Sequence, residues 1–428
     1  MTKKKYFNLT FAVTMNFFLQ FFFQWFMIKV NGAGKATDAL FGAMALPQFI
    51  LVILSGSLTM VLIPVISKYE GKEFLRESWN YFQFVGLIFF FVSLFLFLTI
   101  KIWIHWILPS YVGSEYLLAI KLTKIQIISM YLTALLSVLW AIHSAKNNFL
   151  YIETTSIAAN IISIVILFYA TKSYGIFAAA WALVFRSCLQ LFFLSGILKT
   201  YIRPNFYSDS FKEVSKKLKP LLIGNMYYKT DMLIDRYLIS GSPTGTLTLF
   251  NLAQQLYSMG SSIFTKVFIN TLVPAISKHA HKTDWNSFNY IFTRRLISTF
   301  LFSIICFLLI LFFGKDVFRI IFSSKNFTQE NINFLWIIMI GLFGYWIGGL
   351  LGNLTSNTFY AKGNTRTPTI IGAILFTIYI PVKIFSFLHF GVYGLMLTIS
   401  IYYLLSLLIQ LVFLRRHLSI KPLTNVLP

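Results

Sequence analysis

Long apolar runs separated by short polar segments restrict the fold of this chain more than any other feature. A helix needs about 20 residues to cross the hydrocarbon core of a bilayer, and in lipid its own hydrogen bonds satisfy the backbone. Twelve such runs occur, at residues 7–29, 38–66, 79–100, 117–142, 151–171, 176–198, 218–239, 247–277, 291–313, 332–358, 370–388 and 391–414. The sequence therefore predicts an all-α polytopic membrane protein with about twelve transmembrane helices.

Charged residues are scarce and punctuate the apolar runs. They make up 11% of the chain, against about a quarter in soluble proteins, which argues against a soluble domain. The net charge of +23 is spread over the loops, so we expect membrane lipids and no nucleic acid as partners. With the N-terminus in the cytoplasm, most of the 36 Lys and Arg fall on cytoplasmic segments. Both termini are therefore predicted to be cytoplasmic.

The chain repeats itself at long range. LIPVISK at residues 62–68 returns as LVPAISK at 272–278, and AKNN at 145–148 returns as AKGN at 361–364. Six spans precede the basic linker and six follow it, so the two halves enter the membrane in the same sense. We expect an N-terminal six-helix bundle at 1–202, a cytoplasmic linker at 203–217 and a C-terminal bundle at 218–428. A parallel repeat of this kind is typical of transporters whose substrate site lies between the halves.

Ionisable residues inside spans are functional candidates, because each costs about 3 kcal/mol at the bilayer centre. They are Arg186, Lys229, Asp231, Asp235, Arg236, Lys266 and Lys383. The excess of cations suits an anionic headgroup such as a diphosphate, which Arg binds with two hydrogen bonds. Pairing within the seventh span, to lock helices together, is the alternative for Asp231 and Lys229.

Position along the spans separates the remaining candidates. Lys266 and Arg186 lie near mid-span, where a cavity-facing role is favoured over reaching an interface. Lys383, close to a predicted span end, is interpreted as a lysine that extends to the interface. Asp38 opens the second span, where gating or ion pairing competes with helix capping.

Two prolines are candidate hinges, and other site types are disfavoured. Pro47 and Pro381 lie inside predicted spans, where proline breaks local hydrogen bonds. GAGKAT at 32–37 lacks the first glycine of a phosphate-binding loop, and the histidines and cysteines have no metal-ligand spacing. We expect no enzyme activity, no metal and no cofactor beyond a coupling ion of unknown identity.

Two stretches carry a family resemblance. GAGKATDALFGAMALPQFILVILSGSLTMVLIPVISK at 32–68 resembles the first two helices of the MurJ/MviN lipid II flippases, and NMYYKTDMLIDRYLISG at 225–241 resembles their seventh helix. AKNNFLYIETTSIAANIISIVILFYATKSYGIFAAAWAL, from 145, is similar to helices of the wider superfamily of polysaccharide exporters and multidrug antiporters.

The resemblance implies two six-helix bundles around a central cavity that opens alternately to each side of a bacterial cytoplasmic membrane. Its implied cargo is a sugar-carrying polyprenyl pyrophosphate, and glycan-synthesis enzymes are candidate partners. At the positions that match the family's cavity arginines, this chain has Phe17, Phe23, Leu51, Val52 and Gln255. The family's two extra C-terminal helices have no counterpart among the twelve predicted spans.

These departures favour a lipid-linked oligosaccharide other than lipid II as the substrate. Lipid II itself is the first alternative and an ion-coupled multidrug or metabolite antiporter the second. The predicted substrate-binding residues are Arg186, Lys229, Arg236, Lys266 and Gln255. The residues predicted for gating or ion coupling are Asp38, Asp231 and Asp235.

Overall fold

The computed structural model describes residues 3–265, 285–362, 364 and 366–419. Within them the regular structure is helical, apart from one isolated bridge between Ser324 and Phe327. The helices are α1 Lys3–Asn31, α2 Lys35–Ala43, α3 Ala45–Ile66, α4 Gly71–Leu98, α5 Ile100–Ile107, α6 Gly113–Ala145, α7 Phe149–Tyr174, α8 Ile176–Ser195, α9 Asp209–Ile239, α10 Thr246–Phe264, α11 Trp285–Phe322, α12 Gln329–Gly341, α13 Phe343–Ala361 and α14 Arg366–Ser419.

Most of the predicted spans coincide with helices in the part of the chain that the structure describes, although several helices extend beyond the predicted bounds. Eight helical stretches of the described residues, one of them α2 together with α3, are long and apolar enough to cross a membrane, and α12 with α13, bent by 41°, makes a ninth. The long α14 contains the last two predicted spans. Its helical geometry breaks at Gly391, where φ is 58°, so it consists of two helical arms, one for each span. The prediction of an all-α polytopic membrane protein is confirmed.

Two segments differ locally from the prediction. Helix α9 begins nine residues before the predicted span at 218, because the Ser208 side chain accepts a hydrogen bond from the Phe211 amide and caps the helix. The second predicted span is interrupted at Met44, between α2 and α3. Pro47 lies in the first turn of α3, a position where a missing N–H costs little.

The described helices form two compact units. The first comprises Met1–Thr248 with Ser324–Phe327, and the second comprises Leu249–Ser323 with Thr328–Pro428. The boundary between them follows α9, whereas the repeat predicts a boundary before it. The division into bundles at 1–202 and 218–428 stays a prediction about the repeat.

In the first unit, α6 is the central helix. It packs against α2, α3, α4 and α8, and α3 also packs along α9. Its side chains Met130, Ala134 and Leu139 are fully buried. This packing holds α3 and α4 against α6, and α3 in turn holds α9.

In the second unit, the most extensive packing between described helices is that of α13 against α14. Gly344 and Gly348 are four residues apart on one face of α13, and a Cβ at Gly348 would lie 2.5 Å from the Tyr403 backbone carbon. Small residues at this spacing let membrane helices approach each other through their backbones.

Candidate functional site

Asp38 binds the start of α10. Its carboxylate accepts hydrogen bonds from the Gly245 amide at 2.6 Å, the Thr248 amide at 2.8 Å and the Thr248 hydroxyl at 2.5 Å. The first amides of a helix have no partner inside the helix and carry partial positive charge, so a carboxylate stabilises them. The side chain thus caps a helix more than 200 residues away along the chain.

The backbone packs closely around this carboxylate. Gly245 has a φ of 90°, and a Cβ there would lie 2.6 Å from the Ala33 carbonyl oxygen. Gly32 has a φ of 78°, and a Cβ there would lie 2.3 Å from the carbonyl oxygen of Asn326. Glycine is required at both places, by the left-handed conformation and by the lack of space. The loop before α2 is therefore held by two distant segments of the same unit.

Tyr111 links this region electrostatically to the end of α9. Burial raises the pKa of Tyr111, the nearby carboxylates of Asp38 and Glu115 raise it further, and the positive charge of Arg236 acts in the opposite direction. Arg236 and Asp235 are both buried, with 4% and 3% of their surface exposed. The structure therefore brings three predicted site residues, Asp38, Asp235 and Arg236, to one end of the first unit.

An ion pair lies beside this end. The Lys35 ammonium is 2.6 Å from the Glu115 carboxylate, at the starts of α2 and α6. Two-thirds of the lysine side chain is exposed, so the pair contributes at most about 1 kcal/mol. The Glu115 carboxylate of this pair is one of the two negative charges that act on Tyr111.

A second polar cluster was missed from the sequence. The Asn16 side-chain amide donates to the Glu153 carboxylate at 2.5 Å and to the Glu153 carbonyl oxygen at 3.0 Å, and the Asn160 amide donates to the Asn16 side-chain oxygen at 3.2 Å. Asn16 and Asn160 are buried. The available signal was a glutamate in an apolar span with an asparagine seven residues later, on the same helical face.

The other predicted residues of the first unit lie elsewhere on its helices. Arg186 is half-buried on α8, next to Ser187, whose hydroxyl is 3.0 Å from that of Thr133 on α6. On α9, Lys229 is exposed and Asp231 is half-buried. Their roles in substrate binding and ion coupling stay predictions.

In the second unit, the prediction for Lys383 is wrong. Its side chain is fully buried, with its ammonium 5.0 Å from the centre of the Tyr379 ring, and does not extend to an interface. The helix face that carries it points into the unit, which its distance from the predicted span end could not reveal. Pro381 lies inside a helical arm of α14, and the break in this helix falls at Gly391.

Two further predicted residues remain untested. Gln255 is half-buried on α10, and Lys266 lies outside the described residues, as does the second copy of the repeated ISK motif. Among the residues that the structure describes, no group of three or more His, Cys, Asp or Glu side chains could hold a metal ion.

Comparison with protein families and sequences gives a consistent result. Residues 27–427 match the family model for the lipid II flippase MurJ. A lipid II flippase MurJ from Thermosipho africanus is 25% identical over 392 residues, which cover 87% of this chain and 77% of the relative. A probable lipid II flippase MurJ from Buchnera aphidicola is 21% identical over 388 residues, or 86% and 75% of the two chains.

Solved structures share the fold. A lipid II flippase MurJ in an inward closed conformation gives a TM-score of 0.81 at 21% identity, covering 95% of this chain and 87% of that one. An inward-facing multidrug resistance transporter of the MATE family gives 0.76 at 15% identity, covering 95% and 94%. The chain thus has the twelve-helix fold of these transporters.

Proposed function

The chain belongs to the lipid II flippase MurJ family, and from this premise we propose that it moves lipid II across the bacterial cytoplasmic membrane for peptidoglycan synthesis. The observation that carries the proposal is the family match over residues 27–427. This match favours lipid II over the other lipid-linked oligosaccharides that the sequence analysis put first.

The proposed mechanism is alternating access by two six-helix lobes, with basic residues holding the diphosphate of the substrate. Arg236 is the best supported of these, because it is buried at the end of the first unit beside the Asp235 carboxylate. A guanidinium in such surroundings binds an anion more strongly than in water. Arg186, Lys229, Lys266 and Gln255 are the further proposed substrate-binding residues.

The carboxylates have a separate proposed role. Asp38, Asp231 and Asp235 are the candidates for gating or ion coupling, and Pro47 and Pro381 are the candidate hinges. For Asp38, gating would require the cap on α10 to open and close during transport, since the carboxylate holds three hydrogen bonds there. Both termini are proposed to be cytoplasmic, and enzymes of glycan synthesis remain proposed partners.

A different lipid-linked oligosaccharide is the second candidate substrate. It is favoured by the residues at the family's cavity-arginine positions, where this chain has phenylalanine at 17 and 23, leucine at 51, valine at 52 and glutamine at 255. These residues cannot donate the charged hydrogen bonds of arginine.

Genetic complementation tests the proposal. A strain depleted of its own lipid II flippase is supplied with the wild-type chain, Arg236→Ala, Lys266→Ala or the control Arg319→Ala. Arg319 is more than half exposed and pairs with Asp316, so its loss should leave growth unchanged. We expect the wild type and the control to restore growth, and the Arg236 and Lys266 variants to fail.

The amount of each variant in the membrane and the amount of lipid II that it transports are measured in the same cells. The membrane level and the thermal unfolding of each variant separate loss of transport from loss of folding. Arg236→Lys is a further variant, which keeps the positive charge but loses the bidentate hydrogen-bond geometry of the guanidinium. Lipid II that reaches the outer leaflet is counted by its cleavage with an enzyme added outside. Failure of a well-expressed wild type to restore growth or externalise lipid II would contradict the proposal and favour the second substrate.

A further inference from the structure

The segment Ser324–Phe327, called the strap below, is part of the first unit although it comes from the second half of the chain. Ser323 before it and Thr328 after it both belong to the second unit. The strap lies in the connection between α11 and α12. The predicted topology places this connection on the outer side of the membrane, where α1 also ends.

The strap caps the C-terminal end of α1. The last carbonyl groups of a helix have no partner inside it. The Ser324 hydroxyl donates to the Lys29 carbonyl at 2.9 Å, and the Asn326 side-chain amide donates to the carbonyl of the next residue, Val30. The Asn326 backbone carbonyl lies so close to Gly32 that no other residue fits there. The strap thus has a defined seat at the end of α1.

The strap has no slack relative to the helices that flank it. Only residues 323–328 separate the end of α11 from the start of α12. The Ser323 amide donates to a carbonyl in the last turn of α11 at 3.0 Å, and the Thr328 hydroxyl caps the first turn of α12. Between them, the Phe327 amide closes a turn by donating to the Ser324 carbonyl at 3.2 Å. Motion of α11 and α12 away from α1 therefore has to break the contacts of the strap.

We propose that the strap is a latch, which holds the outer side of the protein closed and leaves the end of α1 once in each transport cycle. This inference rests on the alternating access of the proposed function, but not on which lipid is carried. The free energy of release is set by the two cap hydrogen bonds and by Phe327, whose side chain is only 1% exposed. The seated strap is therefore the resting state, and a transport cycle has to supply the energy that releases it.

Distances between spin labels test the strap in the full-length protein in nanodiscs. Asn31→Cys at the end of α1 and Lys325→Cys on the strap carry the labels, and the native Cys188 and Cys306 are replaced by Ser. We expect one short distance as long as the strap is seated, and a second, longer distance for the released strap.

Removal of the caps should increase the released population. Ser324→Ala combined with Asn326→Ala should raise the share of the longer distance about tenfold, since the loss of one hydrogen bond changes an equilibrium about two- to tenfold and these two are partly exposed to water. Asn326→Asp keeps the size of the side chain, but its ionised carboxylate cannot donate, so it tests the same bond if the double variant is poorly folded in thermal unfolding. The matched control is Ser323→Ala, at an exposed serine next to the strap, which should leave the distances unchanged.

Crosslinking tests whether transport requires release of the strap. The cysteine pair at 31 and 325 is joined by a short cleavable crosslinker that is added to cells from outside. The crosslinked protein should stop externalising lipid II, and cleavage of the crosslinker should restore transport to the level of the unlinked pair.

Three outcomes would overturn the proposal. The first is transport by the crosslinked protein at the level of the unlinked pair. The second is a single short distance in the folded double variant and in Asn326→Asp. The third is an equal increase of the longer distance in Ser323→Ala. If the unlinked pair neither restores growth nor externalises lipid II, the proposed function fails, and the spin-label distances still decide for or against the strap.

Discussion

Asp38→Ala is expected to destabilise the first unit by removing the cap on α10. The substitution deletes three hydrogen bonds, two of them from the backbone amides of Gly245 and Thr248. The carboxylate is only 7% exposed, so water cannot easily replace it. The helix would then begin with buried amides that have no acceptor.

The magnitude follows from these contacts. Loss of a helix cap costs about 0.5–2 kcal/mol, and each buried polar group left without a partner costs about 1–3 kcal/mol. Because the amides share one acceptor and their losses overlap, we expect a total of about 2–4 kcal/mol. Asp38→Asn keeps one carbonyl oxygen as an acceptor and should lose about half as much.

The free energy of unfolding is measured by denaturant titration in detergent micelles, with hydrogen exchange at the Thr248 amide as a local probe. Asp316→Ala is the matched control, since this aspartate is 67% exposed and its ion pair with Arg319 contributes at most about 1 kcal/mol. If Asp38→Ala unfolds at the same free energy as Asp316→Ala and the Thr248 amide stays protected, the capping argument is wrong.

Transport separates the two roles considered for Asp38. A cap that only supports the fold predicts that Asp38→Asn loses transport in proportion to stability. A gating role predicts that Asp38→Asn loses transport while most of its stability remains. Complementation and unfolding measured on the same variant distinguish these outcomes.

Two other substitutions test packing and charge. Gly348→Leu should destabilise the second unit by about 1–3 kcal/mol because the new side chain meets the Tyr403 backbone. Gly349→Leu is the control, since a Cβ at Gly349 has open space around it and the variant should keep its stability. Denaturant titration measures the free energy of unfolding of both variants. Hydrogen bonds from Lys217 and Lys68 lower the pKa of Glu213, so its contribution is full above the ordinary glutamate value of about 4.3 and is lost as pH falls through the lower folded value. The stability difference between wild type and Glu213→Gln should therefore shrink towards zero in an acidic pH series, and a constant difference would contradict the assignment.

Much of the membrane architecture could be predicted because it depends on the hydrophobicity of each segment alone. Each span of about twenty apolar residues must form a helix in lipid, whatever its neighbours are. The predicted boundary at 66 coincides with the end of α3, and the break predicted between 388 and 391 coincides with Gly391. The start of α9 was predicted late, because its amphipathic first third is too polar for a hydropathy criterion.

The contacts of the candidate site could not be predicted in the same way. Lys383 was assigned to an interface from its place near a span end, yet its side chain is fully buried. Position along a span gives depth in the membrane, but the face of the helix that meets its neighbours depends on rotation about the helix axis. That rotation is set by packing between helices.

The sequence by itself determined that this chain spans a membrane repeatedly, that short motifs recur in its two halves and that it carries cations within its apolar spans. Only the tertiary structure decided which groups meet. Asp38 finds its partners at Gly245 and Thr248, and Asn16 finds Glu153, across separations that no local pattern encodes. The physical reason is that hydrophobicity acts on each segment independently, whereas a buried hydrogen bond exists only once folding has brought donor and acceptor together.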